Sequence, residues 1–282
     1  MDIIRAIILG IIEGITEWLP ISSTGHLIIA EHFIGLQQSA AFKEMFDVVI
    51  QLGAILSVVV IYWHKLVPFN ALLGSHKKTP REVQLTWRLW AKVFLACLPA
   101  IIIGFPLNDW LNAKFYNFIS VAICLIVYGI LFIVIERYWV PTHALSVLSV
   151  DKISYRFALY IGIFQVLALM PGTSRSGATI VGALLIGVGR AAAAEFTFFL
   201  GVPIMFGASL LKIVKYFKNG NGLDLYQFFI LILACAVAFA VSMFAIRWLM
   251  DYVKKHDFTW FGKYRIVLGA LLLLIAGITA FV

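Results

Sequence analysis

Charge is what this 282-residue chain has least of. Lys, Arg, Asp and Glu together make up 13% of it, against 62% hydrophobic residues, and the mean hydropathy is +0.99. Such a deficit excludes an ordinary soluble domain. Cysteine is nearly absent too. Cys97, Cys124 and Cys235 all lie in apolar runs without metal-ligand spacing, so they read as buried thiols acting as small hydrophobes. The apolar runs lack the strand alternation a membrane barrel needs, which leaves helices as the way to satisfy backbone groups in lipid. The start of the chain shows no charged n-region with a small-residue cleavage site, so no cleavable signal peptide is expected. The net charge of +8 would suit nucleic acid if it were clustered. The cations sit instead at segment ends, which fits membrane topology and anionic headgroups and argues against nucleic acid as a partner.

What the chain does have is long apolar runs. About 20 apolar residues cross a hydrocarbon core, and six stretches qualify, near 44–64, 90–107, 117–136, 193–217, 224–248 and 263–282. Pro99 and Pro106 are expected to kink or end the second. Two further stretches, 3–32 and 155–188, are each broken by a proline (Pro20, Pro171) and a Ser/Gly turn, leaving halves too short to span. A shift of 152 positions superposes Gly10 on Gly162, Glu13 on Gln165, Ser22 on Ser174 and Gly25 on Gly177. Broken segments at corresponding places in two halves predict an inverted repeat with its site where they meet. The expected fold is therefore an all-α polytopic membrane protein with an inverted-topology repeat: six transmembrane helices plus two re-entrant helical hairpins. The first repeat covers 1–140 and the second 153–282. Two kinked spanning helices in place of the hairpins, giving eight crossings, remain the alternative.

Lys and Arg orient the loops. The stretch 65–92 carries Lys65, Lys77, Lys78, Arg81, Arg88 and Lys92 against Glu82 alone, which predicts a cytoplasmic position. The 137–156 loop (Arg137, Lys152, Arg156) and the 247–265 loop (Arg247, Lys254, Lys255, Lys263, Arg265) fall on the same side. The 108–116 loop goes outside with both termini and the entry of the first hairpin. Lys212, Lys215 and Lys218 run against this scheme.

Polar residues sunk in apolar sequence need a reason. Glu13 and Glu17 stand one helical turn apart; two carboxylates in a low dielectric require a shared proton or a cation. A hard divalent ion, Mg²⁺ or Ca²⁺, would take their oxygens together with phosphate oxygens. In Ser22-Ser23-Thr24-Gly25-His26 hydroxyls precede an imidazole, the pairing by which a base activates serine, and Gly25 would let a substrate approach the backbone. A helix cap is the ordinary alternative for such a turn. Thr173-Ser174-Arg175-Ser176-Gly177, followed by Thr179, offers a guanidinium fork, hydroxyls and a helix N-terminus near Ser176, all suited to an anion. A structural pairing of Arg175 with Glu13 or Glu17 is the alternative there, and would also tie the hairpins together. Asp47 and Gln51, a turn apart, are candidates to line the cavity. Gly53-Ala54 and Gly207-Ala208 are candidates for close helix packing. Glu195 and Arg190 read as an interfacial or a catalytic pair, and His32, His64, His76, His143 and His256 as loop or interface residues.

With Glu13-x3-Glu17 running into Leu-Pro-Ile-Ser-Ser-Thr-Gly-His, with Phe46-Asp47-Val48-Val49-Ile50-Gln51-Leu52-Gly53, and with Pro-Gly-x-Ser-Arg-Ser-Gly-Ala-Thr from Pro171 to Thr179, the chain resembles the undecaprenyl-diphosphate phosphatase (bacitracin-resistance) family along its whole length. The resemblance implies removal of the terminal phosphate from a C55 polyprenyl diphosphate, in a bacterial cytoplasmic membrane, at a site open to the outer face. It implies Ser23 as nucleophile, His26 as base, Glu13 and Glu17 as metal-linked acids and Arg175 as phosphate clamp. Ser22, Thr24, Gly25, Thr173, Ser174, Ser176, Thr179 and Gln51 are expected to contact the substrate. A divalent cation, the lipid substrate and membrane lipids are the expected cofactor and partners, with a homodimer left open. A polyprenyl-phosphate transporter or flippase is the rival, because broken-helix repeats also build transporters. The phosphatidic-acid-phosphatase type is excluded: its Ser-Arg-x3-His-x3-Asp pattern meets Thr at position 179.

Overall fold

A computed structural model describes residues 1–69 and 78–281. Among these no strand forms; the one β contact is an isolated bridge between Val147 and Val188. Helix α1 (Asp2–Thr16) and α2 (Ser23–Ile34) flank the first polar turn. Helices α3 (Ala40–Val49) and α4 (Gln51–Ile61) follow end to end, then the short α5 (Trp63–Leu66), α6 (Pro80–Phe115) and α7 (Phe118–Val134). In the second half, α8 (Tyr155–Gln165) continues as a 3₁₀ turn to Leu169 before α9 (Arg175–Leu185), α10 (Arg190–Lys218), α11 (Leu225–Val253) and α12 (Thr259–Phe281).

Among the described residues six helical stretches are long and apolar enough to cross a membrane: Ala40–Ile61, Pro80–Leu107, Phe118–Thr142, Arg190–Lys218, Leu225–Val253 and Thr259–Ile278. All six predicted crossings fall on them, with shifted bounds. Of the two outcomes expected at Pro99 and Pro106, a kink or an end, the end does not occur: α6 continues through both to Phe115. Proline removes one N–H and frees one carbonyl, which neighbouring helices and local adjustments can absorb inside a membrane protein. At its start α6 has a full capping box: Thr79 Oγ1 accepts from Glu82 N at 3.3 Å, and Glu82 Oε2 accepts from Thr79 N at 2.7 Å. Arg81, Arg88 and Lys92 are therefore helical residues, not loop residues. The expected 108–116 loop is mostly the end of the same helix. Lys77 and His76 lie outside the described residues.

The halves exchange partners. Helix α1 lies along α11 of the second half, α8 lies along α6 of the first, and α7 packs on α12. Under the 152-residue shift α1 answers to α8, α6 to α11 and α7 to α12, so the pairing is the one a two-fold relation would produce. Two repeat-related glycines make it possible. A Cβ at Gly10 would come within 2.7 Å of the Ala234 carbonyl, and Gly162 closes on the backbone of Ala96. Gly53 likewise closes on Cys235, whereas Gly207 has nothing within 4 Å and packs no helix.

Aromatic side chains fill the core: Trp18, Phe132, Phe196, Phe198, Phe199, Phe258 and Phe261 are fully buried. Phe105, Phe244, Val267 and Leu274 point outward, as an apolar belt in lipid would. Two of the three off-scheme lysines have local partners. Lys212 pairs with Glu44, and Lys215 with Asp109 at 2.9 Å, near the negative C-terminal end of α10. Arg190 forms a fork on buried Glu136 at 2.6–3.2 Å, and Lys65 meets Glu195 at 2.5 Å.

Candidate active site

Ser22 and Ser174 are the two described non-glycine residues with positive φ, 73° and 69°. They occupy equivalent places in the repeat. A left-handed backbone costs a serine roughly 1 kcal/mol or more and persists where the surroundings over-determine it. Each hydroxyl caps the helix that follows. Ser22 Oγ accepts from Gly25 N at 3.3 Å, and Ser174 Oγ accepts from Gly177 N at 3.2 Å. These reversals start α2 and α9 at a common cavity of about 210 Å³. Its polar wall is Glu17, Ser23, Thr24 and Gln51 from the first half with Gln165, Ser174 and Arg175 from the second. Leu169, Met170, Ile204 and Met205 form an apolar wall.

A chain of polar contacts crosses between the two turns. Ser23 Oγ donates to Glu17 Oε2 at 2.8 Å, and Arg175 Nη2 donates to Glu17 Oε1 at 3.1 Å. Arg175 Nη1 donates to the Thr197 carbonyl at 2.8 Å, and the guanidinium lies 5.4 Å from the Trp18 ring centre. Gly201 leaves room for it: a Cβ there would fall 2.7 Å from Nη1. Arg175 Nε is buried with no partner among the described residues, and Nη1 and Nη2 each keep a second N–H beside the cavity that Arg175 lines. The pairing of Arg175 with Glu17 weighed at the sequence level is thus present, and the same side chain still lines the cavity.

His26 is not bonded to Ser23. Its Nδ1 is 2.7 Å from the Ser22 carbonyl, so that nitrogen carries the proton, and Nε2 faces the Tyr264 hydroxyl at 2.7 Å with the rings stacked. The acceptor beside the Ser23 hydroxyl is Glu17. Several other expected substrate contacts hold the turns instead. Ser176 Oγ donates toward the carbonyls of Glu17 and Leu19 at 3.4 and 3.3 Å. Thr179 Oγ1 bonds within α9 and to Thr197, and Thr173 is buried. Gly25 faces Leu125 of α7, where a Cβ would meet Cδ1 at 3.0 Å, so its role is helix packing.

Arg265, which the sequence places with the cations of the 247–265 loop, is fully buried in α12. Its guanidinium donates to the carbonyls of Pro20 (3.3 Å), Gly172 (3.1 Å) and Thr173 (2.8 Å), one from the first turn and two from the second. Arg265→Leu is expected to destabilise the fold by about 3 kcal/mol, since it strands three buried carbonyls. Thermal unfolding in detergent measures this, and an unchanged midpoint would show that the turns hold each other without it.

No group of three or more His, Cys, Asp or Glu is arranged to hold a metal among the described residues. Even so, both carboxylate oxygens of Glu13, one helical turn before Glu17, are buried with no hydrogen-bond partner among the described residues. Hard oxygens without a donor are the ligands a divalent cation takes, although Glu13 is not among the residues that line the cavity.

Helices of this length and an internal polar cavity define a multi-pass α-helical membrane protein with a site suited to an anionic group. Residues 6–271 match the family described as Bacitracin resistance protein BacA, and the chain belongs to that family. It is 73% identical over 282 residues, 100% of this chain and 99% of the relative, to a protein of Lactococcus lactis subsp. cremoris named undecaprenyl-diphosphatase. Proteins of that name in Streptococcus gordonii and Streptococcus mutans are 62% and 60% identical, covering 97% and 96% of this chain and 95% of each relative.

Proposed function

We propose that this protein hydrolyses undecaprenyl diphosphate to undecaprenyl phosphate and inorganic phosphate. The observation that carries the reading is the Ser23–Glu17–Arg175 chain, which sets a hydroxyl, its acceptor and a guanidinium on one cavity. The N-termini of α2 and α9 reach the same cavity, and both favour an anion. The relatives' shared name supports the same substrate and does not favour the transporter reading.

Ser23 Oγ attacks the terminal phosphorus and gives its proton to Glu17. A bond from Oγ to phosphorus forms as the bond to the bridging oxygen breaks, and the lipid monophosphate leaves. Glu17 passes that proton to the departing monophosphate; water then cleaves the phosphoserine, one of its protons restoring the Ser23 hydroxyl and the other leaving with the released phosphate. The Arg175 guanidinium, with the turn amides, donates to the charge on the transferred group. His26, one helical turn after Ser23, exchanges protons with Tyr264 rather than acting directly on the serine. Tyr264→Phe, which removes that one bond, is expected to lower kcat about fivefold. Steady-state assays of the variant check this, and no change would remove His26 from the proton path.

Glu13 and Glu17 would hold the divalent cation, which when bound neutralises phosphate charge. Chelation is therefore expected to abolish activity and added Mg²⁺ or Ca²⁺ to restore it; full turnover in excess chelator would contradict that role. The apolar wall gives the lipid tail a lateral route. The reading places the protein in the bacterial cytoplasmic membrane, with the cavity open to the outer face. Phosphate release by the purified protein in detergent tests the assignment. Lipid translocation without release would overturn it in favour of transport.

A further inference from the structure

Gln165 ends α8 and is only 2% exposed, yet neither its Oε1 nor its Nε2 has a hydrogen-bond partner. It lines the cavity together with Ser23 and Arg175. A buried polar group left unpaired costs about 1–3 kcal/mol, and buried side-chain polar atoms are otherwise nearly always satisfied. Ala168 and Leu169, which follow it in the chain and line the same cavity, bring no polar side chain to it. The amide is retained against that cost, which points to a partner that arrives in the cavity.

The repeat indicates what the partner is. Position 165 answers to position 13, where both carboxylate oxygens are equally unpartnered. One hairpin therefore offers hard acceptors for a cation, and the other offers a neutral amide at the corresponding place. An amide can donate to phosphate where a carboxylate would repel it. Leu169 and Met170, which begin the apolar wall, follow Gln165 by about one turn. Gln165 thus stands where the polar cavity passes into the surface fit for a hydrocarbon tail.

We propose that Gln165 is a specificity-determining residue whose Nε2 donates to the lipid-linked phosphate, the one that is not transferred. It thereby selects a diphosphate and steadies the leaving group. This rests on the phosphatase reading. Ser23 and Arg175 hold the terminal phosphate, and Gln165 holds the other.

The test compares wild type with Gln165→Met and the equally shaped Gln165→Glu. It measures kcat and KM on a polyprenyl diphosphate, inhibition by the polyprenyl monophosphate and by inorganic phosphate, and the unfolding midpoint. In Gln165→Met, KM and the monophosphate inhibition constant are expected to rise about tenfold. Inhibition by inorganic phosphate should stay within twofold, and the midpoint should be equal or higher. Gln165→Glu should raise KM further by repulsion and gives a second answer if the Met variant does not fold. An unchanged KM, equal weakening toward inorganic phosphate, or a lower midpoint with wild-type KM would each overturn the proposal. A wild-type protein that releases no phosphate would instead sink the phosphatase reading itself.

Discussion

Ser23→Ala is expected to lower kcat for phosphate release by about 10⁴-fold while changing KM little. Losing a nucleophile costs this much or more in enzymes that act through a covalent intermediate. The small effect on KM follows from the structure. Ser23 holds only Glu17 Oε2, and Arg175 keeps its contacts to Glu17 Oε1 and the Thr197 carbonyl without it. The anion grip therefore survives the substitution. Steady-state kinetics on a polyprenyl diphosphate measure both parameters. A loss of tenfold or less would show that water, not Ser23, attacks phosphorus.

Arg175→Lys, which keeps the charge, is expected to reduce kcat/KM by about 10²–10³-fold. A guanidinium holds Glu17, the Thr197 carbonyl and the Trp18 face at once and still has N–H donors to spare. An ammonium has no planar fork with which to do this. The space beside Gly201, shaped by the guanidinium, would also be left partly empty. Activity within threefold of wild type would mean that Arg175 acts only as a point charge.

The parts of the fold that rest on length and hydropathy were legible from the residues, and all six apolar helices lie where the runs predict them. The course of α6 was not. Proline is judged by its cost to a helix interior, yet α6 runs through Pro99 and Pro106 to Phe115. The polar turns were legible as motifs, and Glu17, Ser23, Thr24, Gln51, Ser174 and Arg175 do meet on one cavity. What each side chain faces was harder to read. His26 follows Ser23 closely enough to suggest a dyad, but its ring is held by a residue 238 positions away. Arg265 follows Lys263 and looked like another interfacial cation. Its burial makes sense only once two irregular turns, far apart in the chain, present their carbonyls to the same guanidinium. Gln165 carried a visible signal, its alignment with Glu13 in the repeat. Its significance depended on finding both side chains buried and unpartnered.

A structure with a bound non-hydrolysable polyprenyl diphosphate analogue tests most directly whether the two turns act on one phosphate. The account expects the terminal phosphorus about 3–3.5 Å from Ser23 Oγ, with one of its oxygens accepting from Arg175. A terminal phosphate bound away from Ser23, or touching only one of the two turns, would contradict it.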